Sequence, residues 1–221
     1  MSELLEKVEP IAAAMRKEVL RDLEKRIGPS LDKPWSELSQ EVAGVAGALE
    51  QSNAWRVQDE PGAIYLKLGC LLLSVYRTLE PLFGDHQELL DVMKSVIDKV
   101  AFRGGMEAFL LDRFGISPDA PAEAWDQLRA RFLERGRERY GSSWIQEPGI
   151  RDERRYFVNV RKCGFADFLL DNGARELLYL LCATDYAWGD ALEEYGIRIE
   201  RPTTLSEGSD ACRFQFFKMS E

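Results

Sequence analysis

Histidine is almost missing from this 221-residue chain: His86 is the only one. A Ser-His-Asp or Cys-His nucleophile would have to recruit that residue, and metal sites built from several histidines are excluded. His86 stands in "FGDHQELL", where Asp85 reads as a helix N-cap with Leu89 and Leu90 following. That spacing predicts an exposed first helical turn rather than a catalytic base. A surplus of positive charge is missing too. The formal net charge is −9, so neither nucleic acid nor an acidic membrane surface is an expected partner, since both call for a cationic face. Long apolar runs are absent: the longest, around "CLLLSVY", is bounded by Lys67 and Arg77, and no bilayer-spanning segment is expected. The opening "MSELLEKVEP" alternates apolar and charged residues without the apolar core of a signal peptide. Closely spaced cysteines are lacking as well. Cys70, Cys163, Cys182 and Cys212 lie far apart with no Cys-x-x-Cys pair, which argues against structural zinc. Reduced thiols in a cytoplasmic protein are the expectation, with no metal and no cofactor.

What is present is a globular balance, 45% hydrophobic and 30% charged. The length suits one domain over 1–221, with a mainly helical part over 1–150 and an α+β part over 151–221. Apolar residues from Leu4 to Ile27 recur at helical spacing and stop at Gly28-Pro29. A second helix is predicted over "WSELSQEVAGVAGALEQ". A third runs from Ile64 to Leu82, apolar on most sides and therefore expected to be buried. A fourth runs from His86 to about Phe114. A fifth starts near Asp119 to Glu123 and carries Arg129, Arg131, Arg135, Arg137 and Arg139 among acids, the pattern of a solvated face.

No element is assigned to "GSSWIQEPGIRDE". "RRYFVNVRKC" then alternates as a strand, with Val158 and Val160 on one face and Phe157, Asn159 and Arg161 on the other. The stretch from Phe165 to Gly196 is helical with a break at Gly173. "IRIERPTTL" and "CRFQFFK" form two more strands about the turn "SEGSD". The fold class is therefore α+β: a helical two-thirds packed with a strand-helix-strand-strand unit that makes a small antiparallel sheet. Strand parity turns Cys212 toward Phe214 and Phe216, and Arg213 and Gln215 to the opposite face. The five tryptophans are expected mostly as core or interface anchors.

The C-terminal third also carries an ordered set of motifs. "VNVRKCGF" ends a strand at Cys163, "RELLYLLCATD" carries Glu176, Leu177, Cys182 and Asp185, and "RPTTLSEGSDACRFQF" carries Arg201, Thr204, Leu205, Gly208 and Cys212. This order resembles the L-2-amino-thiazoline-4-carboxylic acid hydrolase family over about Tyr156 to Phe217. The last segment is also similar to the vinyl-reductase-type small-ligand-binding domain. The resemblance implies hydrolysis of a cyclic isothiourea: water adds at the carbon between ring sulfur and nitrogen, the carbon–sulfur bond breaks, and N-carbamoyl-L-cysteine forms. It implies a small-molecule substrate with an amidine-like head and a carboxylate tail.

On that reading the catalytic candidates are Cys182, Asp185 and Cys163. Cys182 and Asp185 are three apart and share a helix face; Asp185 can pair with an amidinium or act as general base. A thiolate at Cys182 would need a nearby cation to offset Asp185. The substrate-binding candidates are Arg161, Arg201, Thr204, Gly208, Cys212 and Arg213. Each has a plain structural reading beside the functional one: a core cysteine, a surface arginine or aspartate, a strand threonine. Cys212 reads as a core residue or the floor of a pocket. A non-catalytic ligand-binding or sensor module on the same scaffold is the rival reading, supported by the lack of a usable histidine base. A homodimer packed through the helices is the remaining expectation about partners.

Overall fold

The computed structural model describes residues 2–219. Nine α-helices and four β-strands are present among them, and the class is α+β. α1 (Ser2–Lys7) and α2 (Glu9–Ile27) lead into α3 (Trp35–Asn53) and α4 (Glu60–Leu79). α4 is apolar on most sides because it is buried on most sides, from Ala63 and Leu66 through Cys70, Leu73 and Leu79. Its N-cap is Asp59, whose Oδ1 accepts from the Gly62 amide at 2.8 Å, satisfying one of the helix's free donors. Asp59 Oδ2 accepts from the Ser142 amide at 2.6 Å, so the same carboxylate ties this helix to the chain just before the sheet.

α5 (His86–Ala101) starts at the Asp85 cap as the sequence indicated, Oδ1 accepting from the Gln87 amide at 2.8 Å. It does not run on to Phe114. Gly104 and Gly105 take φ of +90° and +94°, conformations that side chains disfavour, and the chain turns there before α6 (Met106–Phe114). α7 (Ala124–Tyr140) begins after a short 3-10 turn at Pro121–Glu123, a few residues later than the spacing suggested.

β1 (Trp144–Arg151) lies in the stretch to which no element was assigned. It is a largely exposed edge strand with Pro148 inside it and two irregularities in its pairing, the position where proline is tolerated. β2 (Arg155–Cys163), β3 (Ile197–Glu200) and β4 (Cys212–Lys218) complete an antiparallel sheet of order β1-β2-β4-β3. The β2–β4 register places Tyr156 opposite Phe216, Val158 opposite Phe214 and Val160 opposite Cys212. These six residues are all buried, which fixes the inner face as strand parity predicted. α8 (Gly164–Asp171) and α9 (Arg175–Glu193) connect β2 to β3.

Two apolar cores result. One joins α2 to α5 with α8 and the start of α9. The other packs the inner sheet face against α6, α7 and the end of α9, where Trp188 lies nearly parallel to Phe214 at 6.1 Å between ring centroids. Trp125 and Trp188 are core residues, whereas Trp55 is exposed, with the Arg56 guanidinium 4.4 Å from its ring centre. α9 belongs to both cores, and a cavity opens where they meet.

Candidate active site

The cavity has a volume of about 400 Å³ and draws its lining from both cores. Most of that lining is apolar. Its charged side chains are Arg113, Arg139, Arg201 and Asp185, three cations against one anion in a chain whose net charge is −9.

α9 presents Cys182 and Asp185 to the cavity together, as the i, i+3 spacing requires. Asp185 is held at both oxygens. Arg201 Nη1 lies 2.9 Å from Oδ2, and Trp188 Nε1 donates to Oδ1 at 2.8 Å. Arg201 also donates to the Cys182 carbonyl at 3.1 Å and stands 4.7 Å from the centre of the Phe214 ring. Its side chain is only 4% exposed, far from the surface position that an arginine takes by default. Burial is the strongest single influence on Arg201 and opposes its charge, but Asp185 together with Cys182 and Cys212 more than offsets it and leaves the guanidinium more firmly protonated than usual.

The thiols point the other way. Burial raises the Cys182 thiol, Asp185 adds to the rise, and Arg201 offsets only part of it. Burial pushes Cys163 up to about 12. Both therefore stay protonated near neutrality, poor nucleophiles but usable hydrogen-bond donors. Cys212 lines the cavity beside Phe214 and accepts from the Leu205 amide at 3.2 Å through Sγ.

The remaining candidates stand elsewhere. Arg161 and Arg213 lie on the outer sheet face. Arg161 Nε donates to Glu147 at 2.7 Å and the side chain also pairs with Asp210; Arg213 donates to Asp210 at 2.9 Å and to Thr203 Oγ1 at 2.8 Å. Residues alternate across a strand, so a side chain beside Asn159 and Gln215 faces away from the cavity. Thr204 is buried in the turn, its hydroxyl bonded to Ser206 at 2.8 Å and Glu207 at 2.9 Å. Gly208 has φ of +87° with nothing near where a Cβ would stand, so the turn geometry, not a close approach, calls for glycine. His86 does not line the cavity; it sits on Tyr76, ring centroids 5.6 Å apart.

Three lining residues were not foreseen. Arg113 on α6 places its guanidinium 4.1 Å from the centre of the Tyr140 ring and 6.0 Å from that of Trp144, whose ring stacks on Tyr140 at 4.6 Å. Burial lowers Arg113 to about 10, still charged at neutral pH. Arg139 is exposed, as expected of a solvated face, and also contributes to the cavity lining; Tyr65 and Asp112 more than offset its partial burial and strengthen its charge. Tyr65 lies 4.6 Å from Tyr140 and 4.8 Å from Phe165, and burial raises its phenol. A signal for Arg113 was present. It follows Phe109 by four residues, which puts the two on the same helix face.

Among comparisons with known proteins, residues 66–216 match a family model described as L-2-amino-thiazoline-4-carboxylic acid hydrolase. No curated protein matches the chain.

Proposed function

The chain belongs to the L-2-amino-thiazoline-4-carboxylic acid hydrolase family, and from that membership we propose that it hydrolyses a cyclic amidine or isothiourea bearing a carboxylate. The observation that carries the proposal is the Asp185 carboxylate, oriented by Arg201 and Trp188 on the wall of a cavity with surplus positive charge.

The chemistry follows from those groups. Each Asp185 oxygen keeps a lone pair beyond the bond it already accepts. One can receive an amidinium N–H and hold the ring carbon in place, while the other draws the proton from an attacking water. Water bonds to the carbon between sulfur and nitrogen, the carbon–sulfur bond breaks, and the departing sulfur takes a proton. Ring opening thus consumes one water and releases one thiol. Cys182 and Cys163, protonated near neutrality, act as donors or neutral lining rather than as attacking sulfur. Arg201 and Trp188 hold Asp185 in place; Arg113 and Arg139 anchor the carboxylate tail.

The test is incubation of purified protein with 2-amino-thiazoline-4-carboxylate and a panel of cyclic amidines, following free thiol and carbamoyl product. Turnover supports the proposal. No turnover on any of them, alongside measurable binding, leaves instead the rival reading of a binding module. One observation favours that rival: no histidine lines the cavity, and burial raises rather than lowers Cys182 and Cys163.

A further inference from the structure

The cavity has more room, and more apolar wall, than a bare aminothiazoline needs. An engineered apolar cavity of about 150 Å³ holds benzene, so by the same scale 400 Å³ takes roughly sixteen non-hydrogen atoms where an aminothiazoline carboxylate has roughly nine. The surplus space has a definite character. On the helical side Met15, Val19, Leu68, Val96, Ile97 and Val100 line it without one polar side chain among them. Such a surface rewards burial of hydrocarbon and nothing else.

The polar requirement of the cavity is equally one-sided. Arg113 Nη1, Trp144 Nε1 and Arg201 Nε are buried without a hydrogen-bond partner among the described residues, and all three are donors on lining side chains. Arg113 makes no close ion pair among the described residues either; Asp185 and Asp112 act on it only from a distance, Asp112 being paired with Arg139. A buried cation without a counter-charge is costly, and buried donors are normally satisfied. An acceptor with negative charge meets both conditions at once.

We infer that the ligand of this cavity is an amphiphilic carboxylate. Its anionic head lies at Arg113 and Trp144, and an aryl or branched alkyl arm runs along the α2, α4 and α5 wall. The inference deepens the hydrolase reading, and rests on it for the place of the reacting carbon beside Asp185. The substrate class becomes a cyclic amidine carboxylate carrying an apolar substituent of about six to eight carbons, the size of the unfilled volume.

Calorimetric titration tests this with three probes: 4-phenylbutanoate, its neutral counterpart 4-phenylbutan-1-ol, and acetate. The carboxylate should bind at least about a hundredfold more tightly than acetate, from burial of the arm, and about tenfold more tightly than the alcohol, from the charge-assisted bonds. Arg113→Met should erase the preference for acid over alcohol while sparing alcohol binding. Val100→Phe, which narrows the apolar end and leaves Arg113 in place, should weaken 4-phenylbutanoate at least about fivefold more than 2-amino-thiazoline-4-carboxylate. Should Arg113→Met not fold, judged by its near-ultraviolet dichroism, the Val100→Phe comparison decides alone. Binding of 4-phenylbutanoate no tighter than acetate overturns the inference, as does a Val100→Phe effect equal for both ligands. The two readings fail separately. Turnover of the bare aminothiazoline without binding of 4-phenylbutanoate removes only this inference, whereas binding without turnover of any cyclic amidine removes only the hydrolase reading.

Discussion

Arg201 Nη1 stands 2.9 Å from Asp185 Oδ2, joining a residue just beyond β3 to the face of α9 inside the cavity. The pair is asymmetric in exposure, the arginine at 4% and the aspartate at 19%. Asp185 is thus the more open end of the ion pair, fixed by its partner and still reachable from the cavity.

That arrangement makes Arg201 a positioning residue with a double effect. Arg201→Met should destabilise the fold by about 1–3 kcal/mol, because it leaves a partly buried carboxylate without its cation. It should also lower kcat more than it raises KM, since Asp185 loses its orientation rather than the substrate its anchor. Chemical denaturation and steady-state kinetics read the two effects. Arg201→Lys, which restores charge without the fork, should recover stability better than kcat.

The thiol at Cys182 should behave as a thiol. Its pKa lies above the ordinary 9.0, so the reactive thiolate is scarcer at neutral pH than in a free cysteine and becomes the major form only at a pH above that value. Alkylation by iodoacetamide at pH 7.5 should be slower than for an unfolded control, and should accelerate with pH into the alkaline range. Cys182→Ser should lower turnover by less than about tenfold, the loss of one neutral hydrogen bond. A loss as large as that of a missing nucleophile would return Cys182 to the attacking role.

Asp59 governs stability rather than chemistry. Asp59→Ala removes the α4 cap and the tie to Ser142, with an expected cost of about 1–3 kcal/mol. The pH dependence has a definite sign. Burial alone would raise the Asp59 pKa, but the amides of Ser142 and Gly62 outweigh it, and the folded value falls below the ordinary 3.8. This contribution is complete above the unfolded pKa and is lost as pH falls through the folded one. Wild type should therefore lose stability relative to Asp59→Ala only below about pH 4, as urea midpoints across that range would report.

Gly208→Ala should destabilise the turn by about 1 kcal/mol, the cost of a side chain at positive φ, and leave kcat and KM unchanged. Gly208 is outside the cavity lining, so a change in KM would show that the turn reaches the ligand.

The sheet was legible where one face is wholly buried. Val158, Val160, Phe214 and Phe216 alternate with polar residues because the inner face must be apolar and the outer need not be. β1 was not legible: Pro148 and Gly149 carry turn signals, and an exposed edge strand has no buried face to impose alternation. The α5–α6 break was read as continuous helix because apolar residues flank Gly104 and Gly105 on both sides. At the site, Cys182 and Asp185 could be paired from spacing alone, which fixes neighbours along one helix. The pairing of Arg201 with Asp185 depends on how β3 docks against α9, and no local pattern encodes that contact. Arg139 is exposed as its charged stripe suggests, but its second place, in the cavity lining, was not legible. Alternating charge marks a face as polar, but not whether that face meets solvent or a cavity.

The most direct measurement is kcat for Asp185→Asn on 2-amino-thiazoline-4-carboxylate, or on an apolar-armed analogue if that is the better substrate. Binding should be followed in parallel by calorimetry. With Asp185 as the group that activates water, kcat should fall by at least about a hundredfold, while the protein stays folded and ligand affinity changes by less than about tenfold. Turnover within about threefold of wild type would contradict the account, because it would leave the one oriented carboxylate in the cavity without a chemical role.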